Sequence, residues 1–243
     1  SWVPMGVYFI ASNNPSSWAV SGLMAYSSAT YMATQQKGRR RIALVLCAVI
    51  GAVMCLTSRY DAAFFLLVVG LALLFVVPWK RGGWIGLSAL AGVAVLGGVT
   101  FMASSQVSKV AYFLRVFEAS DPATSADKQP FFEKLLVGLE TAPKYLGGFW
   151  GHTWTPGWHD VPLGARAPYV LTIMAAGAFV AISLRRGGWR KWTALMILVG
   201  SMCLLPALFY ANGAMDTIEL YQARYIFPLL APTFFLMLAV DQD

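Results

Sequence analysis

Residues Lys37–Asp61 read KGRRRIALVLCAVIGAVMCLTSRYD, and the fold class follows from that stretch. Three arginines open it, residues 42–58 carry no charge, and Arg59 and Asp61 close it. A helix needs roughly 20 apolar residues, and about 17 at the least, to cross a hydrocarbon core of about 30 Å. Similar apolar runs stand at about 18–35, 61–78, 84–103, 168–184, 193–211 and 224–240. Residues 1–11 read as the end of an earlier helix. The chain opens at Ser1 in mid-apolar sequence with no signal-peptide pattern, which points to an incomplete chain whose first spans precede it. Composition agrees, with 243 residues, 58% hydrophobic, 12% charged and a mean hydropathy of +0.62, too apolar for a soluble domain. The expectation is an all-α integral membrane bundle of about seven transmembrane helices plus a partial N-terminal one. Its membrane parts are 1–103 and 168–243, and the mostly polar residues 104–167 form one large insert.

Charge placement orients the bundle. Loops at alternate ends of the runs carry Lys37, Arg39, Arg40 and Arg41, then Lys80 and Arg81, then Arg185, Arg186, Arg190 and Lys191, with no acidic residue among them. The other side carries eight basic residues against nine acidic ones. Short basic loops stay cytoplasmic, so the insert is expected to be extracytoplasmic and the protein multi-pass in the inner (plasma) membrane. The pI of about 9.5 then reflects topology. A nucleic-acid partner is excluded, because that needs a basic, aromatic-studded soluble face.

Cys47 and Cys55 lie about 12 Å apart along one helix at 1.5 Å per residue, too far to bridge, and Cys203 sits in another span, so all three read as small hydrophobes. Ser88 and Gly92, then Ala94 and Gly98, put small residues four apart, a spacing that lets helices approach closely in lipid, within the bundle or between copies. Pro206, Pro228 and Pro232 interrupt the last two spans and suggest kinks.

Within the insert, Phe131, Phe132, Leu135, Leu136 and Leu139 share one helical arc, with Glu133, Lys134 and Glu140 outside it and Pro130 suited to the first turn. An amphipathic helix follows, lying at the outer membrane surface or packed on the bundle top. Further on, residues 147–162 crowd Trp150, Trp154, Trp158, His152, His159 and Asp160 between Gly and Pro turns. Aromatic faces beside a carboxylate suit sugar, whose CH groups stack on rings and whose hydroxyls bond the acid. An interfacial aromatic belt explains the Trp residues equally. His152, His159 and Asp160 have metal-binding chemistry, but their spacing matches no ligand signature.

Two short polar sites close the reading. Ser58-Arg59-Tyr60-Asp61 joins two spans at the outer end, and Gln222-Ala223-Arg224-Tyr225 opens the last span on the same side. Charges this near hydrocarbon need partners or a wet cavity. Arg59 and Arg224 suit a phosphate, which a guanidinium binds with two prongs; snorkelling with an ion pair to Asp61 or Glu219 explains them as well.

These two sites, with Asn14-Pro15-Ser16 and Gly157-Trp158-His159-Asp160-Val161-Pro162-Leu163, resemble in order and spacing a bacterial family of multi-pass membrane proteins of unknown function. That family is grouped with the GT-C superfamily of polyprenyl-phosphate-sugar-dependent glycosyltransferases, and the resemblance covers most of the chain. It implies a GT-C-like helical bundle with an extracytoplasmic active face. The chain would be the C-terminal portion of an enzyme moving a sugar from a polyprenyl-phosphate carrier to a cell-envelope acceptor. Arg59 and Arg224 would meet the phosphate; Trp158, His159, Asp160, Asp61, Gln222 and Tyr225 would meet sugar or acceptor. The acidic base of such enzymes usually lies in the first outer loop, which here would precede Ser1, so no catalytic residue is assigned. Tyr60 also stands where the family often has Pro. No cofactor is assigned, and a divalent metal stays open. Expected partners are membrane lipid, the lipid-linked sugar, the acceptor, and the missing N-terminal spans or another membrane subunit. The alternatives are an O-antigen-ligase-like or polymerase-like enzyme, a non-enzymatic envelope-lipid transporter, and a membrane scaffold. A transporter predicts ionisable residues in mid-span, and the seven runs have none there.

Overall fold

The computed structural model describes residues 15–59, 62–103, 130–142, 187–211 and 225–238, with helical positions 174, 177, 178, 180 and 181. Its elements are α1 (Pro15–Gln35), α2 (Gly38–Ser58), α3 (Ala62–Val76), α4 (Trp79–Ala103), α5 (Phe131–Glu140), α6 (Trp189–Ala211), a 3-10 turn (Phe227–Leu229) and α7 (Leu230–Leu238). Every element among the described residues is helical, as the apolar runs require.

Three helical stretches, Gly38–Ser58, Gly82–Val99 and Trp189–Ala211, are long and apolar enough to cross a membrane. Ala62–Val76 and Phe227–Leu238 are shorter apolar helices. The 15 residues of α3 reach only about 22 Å at 1.5 Å per residue, short of a 30 Å core. The expected span at 168–184 and the partial helix at 1–11 lie largely or wholly outside the described residues. So seven full-length spans are not what the described residues contain: three qualify, and two of the expected runs form shorter helices.

The first expected run, 18–35, is helical but differs from its neighbours. Helix α1 holds seven serines and threonines and sits at the centre, packed on α2, α3, α4 and α7. Ser27 and Ser28 donate to the Met24 carbonyl, and Thr34 donates to Tyr31. A hydroxyl bonded one turn back needs no water, so a serine-rich helix can be buried in an apolar bundle. Two hydroxyls depart from that rule: Tyr26 Oη and Thr30 Oγ1 are buried without a hydrogen-bond partner. Leaving a buried donor unmet costs about 1–3 kcal/mol. Tyr26→Phe is therefore expected to hold or raise the thermal midpoint in detergent. A loss of more than about 1 kcal/mol would show that the hydroxyl is bonded in the folded protein.

The closest helix crossing joins α1 to α2. A Cβ on Gly22 would lie 2.5 Å from the Gly51 carbonyl oxygen, and one on Gly51 would lie 2.7 Å from the Gly22 carbonyl oxygen. Ala48, Ala52 and Cys55 extend the small buried face of α2. Large residues turn the other way: Ile42, Leu46, Val49, Ile50 and Val53 are exposed along one stripe. Small inside and large outside is the pattern of a helix whose outer face meets lipid. The small-residue seam expected on α4 packs differently. Ser88, Gly92, Ala94 and Gly98 are exposed, and a Cβ on Gly92 or Gly98 would meet nothing within 4 Å. Four-residue spacing alone names a smooth face, and the partner helix decides which smooth face is used.

The two ends of the bundle are identified by contacts. At one end Gly82 of α4 presses on Thr34 of α1, and Arg190 Nη2 donates to the Val77 carbonyl at 2.9 Å. That gathers the α1–α2 turn with Lys37–Arg41, the α3–α4 turn with Lys80, and the start of α6 with Arg190 and Lys191. The three basic loops thus share one end. Arg185 and Arg186 lie outside the described residues. At the other end α5 packs on α6 through Gly138, where a Cβ would lie 2.6 Å from Ala207 Cα. The amphipathic helix of the insert is therefore seated against the bundle, at the end away from the basic loops.

Candidate functional site

The polar site at the end of α2 is held by local geometry. Ser58 Oγ donates to the Cys55 carbonyl at 2.7 Å, closing the last helical turn. Arg59 then leaves the helix in extended conformation, with φ −150° and ψ 147°. Its carbonyl accepts from the Ala62 amide at 3.3 Å, so α3 begins within three residues. Arg59 is pinned between two helices that pack on each other.

Tyr225 is fixed from the opposite direction. It precedes Ile226, Phe227, Pro228 and Leu229, all buried. The Leu229 amide bonds the Ile226 carbonyl at 3.1 Å. Pro228 fits there because the first turn of a helix has no use for its missing N–H. This apolar anchor sets the Tyr225 ring at the mouth of the last helix. The Arg59 guanidinium carbon lies 5.6 Å from the centre of that ring, inside the roughly 6 Å reach of a cation–π contact. Arg59 and Tyr225, about 166 residues apart in sequence, therefore meet. Both side chains are half-buried, at the end away from the basic loops.

Of the other expected site residues, Asp61, Trp158, His159, Asp160, Gln222 and Arg224 lie outside the described residues, as does the ligand trio His152, His159 and Asp160. Among the described residues no group of three His, Cys, Asp or Glu could hold a metal ion. A guanidinium is a two-pronged partner for phosphate or carboxylate, so Arg59 brings that chemistry to this end of the bundle.

One charged residue plays a different part from the one its sequence position suggests. Lys191 was expected among the exposed loop cations, and it is 1% exposed in the first turn of α6. It shares the buried face of that helix with Ala194, Leu195, Leu198 and Met202. The signal was present in the three- and four-residue spacing from 191 to 202, which places the lysine on the apolar stripe.

No curated protein and no solved structure matches the chain. A family model described as predicted membrane protein (DUF2142) matches residues 1–233. With nearly the whole chain matched, the protein belongs to this family of predicted membrane proteins.

Proposed function

We propose that this chain carries the phosphate-binding part of a GT-C-like membrane glycosyltransferase. A sugar would pass from a polyprenyl-phosphate carrier to a cell-envelope acceptor on the extracytoplasmic side. The observation that carries the reading is the Arg59–Tyr225 contact, between one residue from each of the two polar sites named from sequence. Three basic loops at the far end support the orientation, since short basic loops stay cytoplasmic. The polyprenyl carrier and the sugar come from the resemblance, and the arginine chemistry is compatible with both.

In the proposed reaction the acceptor hydroxyl attacks the anomeric carbon as the bond to the carrier phosphate breaks. A carboxylate takes the hydroxyl proton, and cations stabilise the charge growing on the departing phosphate. Arg59 and Arg224 are assigned to that second task. Trp158, His159, Asp160, Asp61, Gln222 and Tyr225 are assigned to sugar and acceptor. No residue of this chain is assigned as that base.

Transfer of a radiolabelled sugar from a polyprenyl-phosphate donor, in membranes holding the full-length protein, tests this. Arg224→Lys keeps the charge and loses the planar fork, so it should slow transfer on the order of a hundredfold, about 3 kcal/mol. Unchanged rates in that variant would make Arg224 a snorkelling anchor. No transfer above protein-free membranes with a panel of donors would remove the enzyme reading itself.

A further inference from the structure

Helix α5 presents its surroundings with distinct faces. Gly138 and Ala142 are buried, with Gly138 seated on Ala207 of α6. About 100° around the helix lies an apolar flank: Phe132 is 65% exposed, Leu136 45%, and Leu139 is half-buried beside them. Diametrically across from that flank stand Lys134 and Thr141. Glu133 and Glu140 are exposed and point away from the bundle. The arc recognised in the sequence is thus mostly not the face that packs. The helix rests on its glycine, and much of its apolar arc has no covering among the described residues.

Two further observations say where that flank lies. Along α6, Trp189, Met196 and Leu204 are exposed, and their spacing with Gly200 and Ala207 puts all five on one helical face. A stripe of exposed large apolar side chains on a helix able to cross a membrane is its lipid-facing side. Helix α5 sits on the last position of that stripe, so its apolar flank continues the same surface. The depth agrees: from Trp189 to Ala207 is 18 residues, about 27 Å of helix, against a core of about 30 Å. With Trp189 at one interface, where tryptophan is enriched, Ala207 falls at the other.

We propose that α5 lies flat in the membrane interface opposite the basic loops, with Phe132, Leu136 and Leu139 in the acyl chains of that leaflet. Lys134 and Thr141 then face water, and Glu133 and Glu140 run at headgroup level. The Gly138–Ala207 contact moors the insert to the bundle while the apolar flank moors it to lipid. Phosphatidylcholine is sufficient as partner, because the flank is uncharged.

The test uses the unmodified chain in nanodiscs of phosphatidylcholine doped with an analogue bearing a diazirine on its acyl chain. Photolysis should leave lipid adducts on the peptide spanning 131–140, located by mass spectrometry. In parallel, Phe132→Cys, Leu136→Cys, Glu133→Cys and Glu140→Cys are treated with a charged, membrane-impermeant maleimide and read peptide by peptide. The two glutamate positions should react on the order of tenfold faster than the two apolar ones, as for a helix half-sunk in the interface. Equal reaction at all four positions would put the apolar flank in water and overturn the proposal. Protection of 132 and 136 without any lipid adduct would mean that protein covers the flank, and would overturn it equally.

Discussion

Gly51→Leu should collapse the folded population, whereas Gly92→Leu should leave it nearly unchanged. The two glycines sit in membrane-type helices of similar composition, so helix propensity favours leucine about equally at both. What separates them is the neighbour. At Gly51 a Cβ meets the Gly22 carbonyl at 2.7 Å and the Tyr26 amide nitrogen at 2.8 Å. These are backbone atoms of the central helix, which cannot move aside as a flexible side chain would. Separating α1 from α2 would also open the contacts that α1 makes with α4 and α7. Overpacking costs typically 1–3 kcal/mol and more against backbone, so roughly 3 kcal/mol or above is expected at Gly51. A Cβ at Gly92 meets nothing within 4 Å, and a surface substitution of that kind stays within about 0.5 kcal/mol. Unfolding in detergent, followed by circular dichroism or by retention of a monodisperse peak, separates the pair. Equal stability of the two variants would mean that the α1–α2 crossing is not the tight seam described.

The second large effect is expected at Arg59. Its guanidinium is held over the Tyr225 ring at 5.6 Å, and the backbone on both sides is constrained by α2 and α3. Arg59→Lys keeps the charge and the reach but gives up the two-pronged geometry, so transfer in the full-length protein should fall by about a hundredfold. Tyr225→Leu removes the ring under the cation, worth about 0.5–1 kcal/mol at a half-exposed site, together with the phenol assigned to sugar or acceptor, and should slow transfer by more than the roughly two- to fivefold of the ring alone. Tyr225→Phe keeps the ring face and should fall closer to the wild type. Wild-type rates in Tyr225→Phe would leave the phenol with no part in binding sugar or acceptor. Wild-type rates in Arg59→Lys would leave Arg59 as an anchor at the lipid boundary.

The membrane class and the end-to-end polarity were legible from Lys37–Asp61 and its counterparts, because charge exclusion from hydrocarbon is a strong, local signal. The meeting of Arg59 with Tyr225 was legible only as two sites on one side. Their contact depends on α2, α3 and the last helix packing around α1, which no single segment encodes. The short length of α3 was hidden because Val77 and Pro78 continue an apolar run while breaking the helix, the Trp79 indole capping the Leu74 carbonyl at 2.9 Å. Small-residue spacing pointed to α4, and the tight seam lies between Gly22 and Gly51, since smoothness is needed on two partners at once. Buried Lys191 was readable from periodicity, yet charge alone had assigned it to the surface. The amphipathic arc of α5 was correctly placed on a helix, and its packing face is instead the one with Gly138, where α6 comes close.

Binding of radiolabelled polyprenyl phosphate to the full-length protein in nanodiscs tests most directly whether the Arg59 end is a phosphate site. It requires no knowledge of the sugar, the acceptor or the base. Saturable binding should depend on the phosphate, so unlabelled polyprenyl phosphate displaces the label and polyprenol does not. Arg59→Gln should weaken it at least tenfold, more than about 1.4 kcal/mol, while Lys80→Gln at the opposite end leaves it unchanged. Displacement by polyprenol as effectively as by polyprenyl phosphate, or loss of binding on Lys80→Gln with Arg59→Gln intact, would place the site elsewhere.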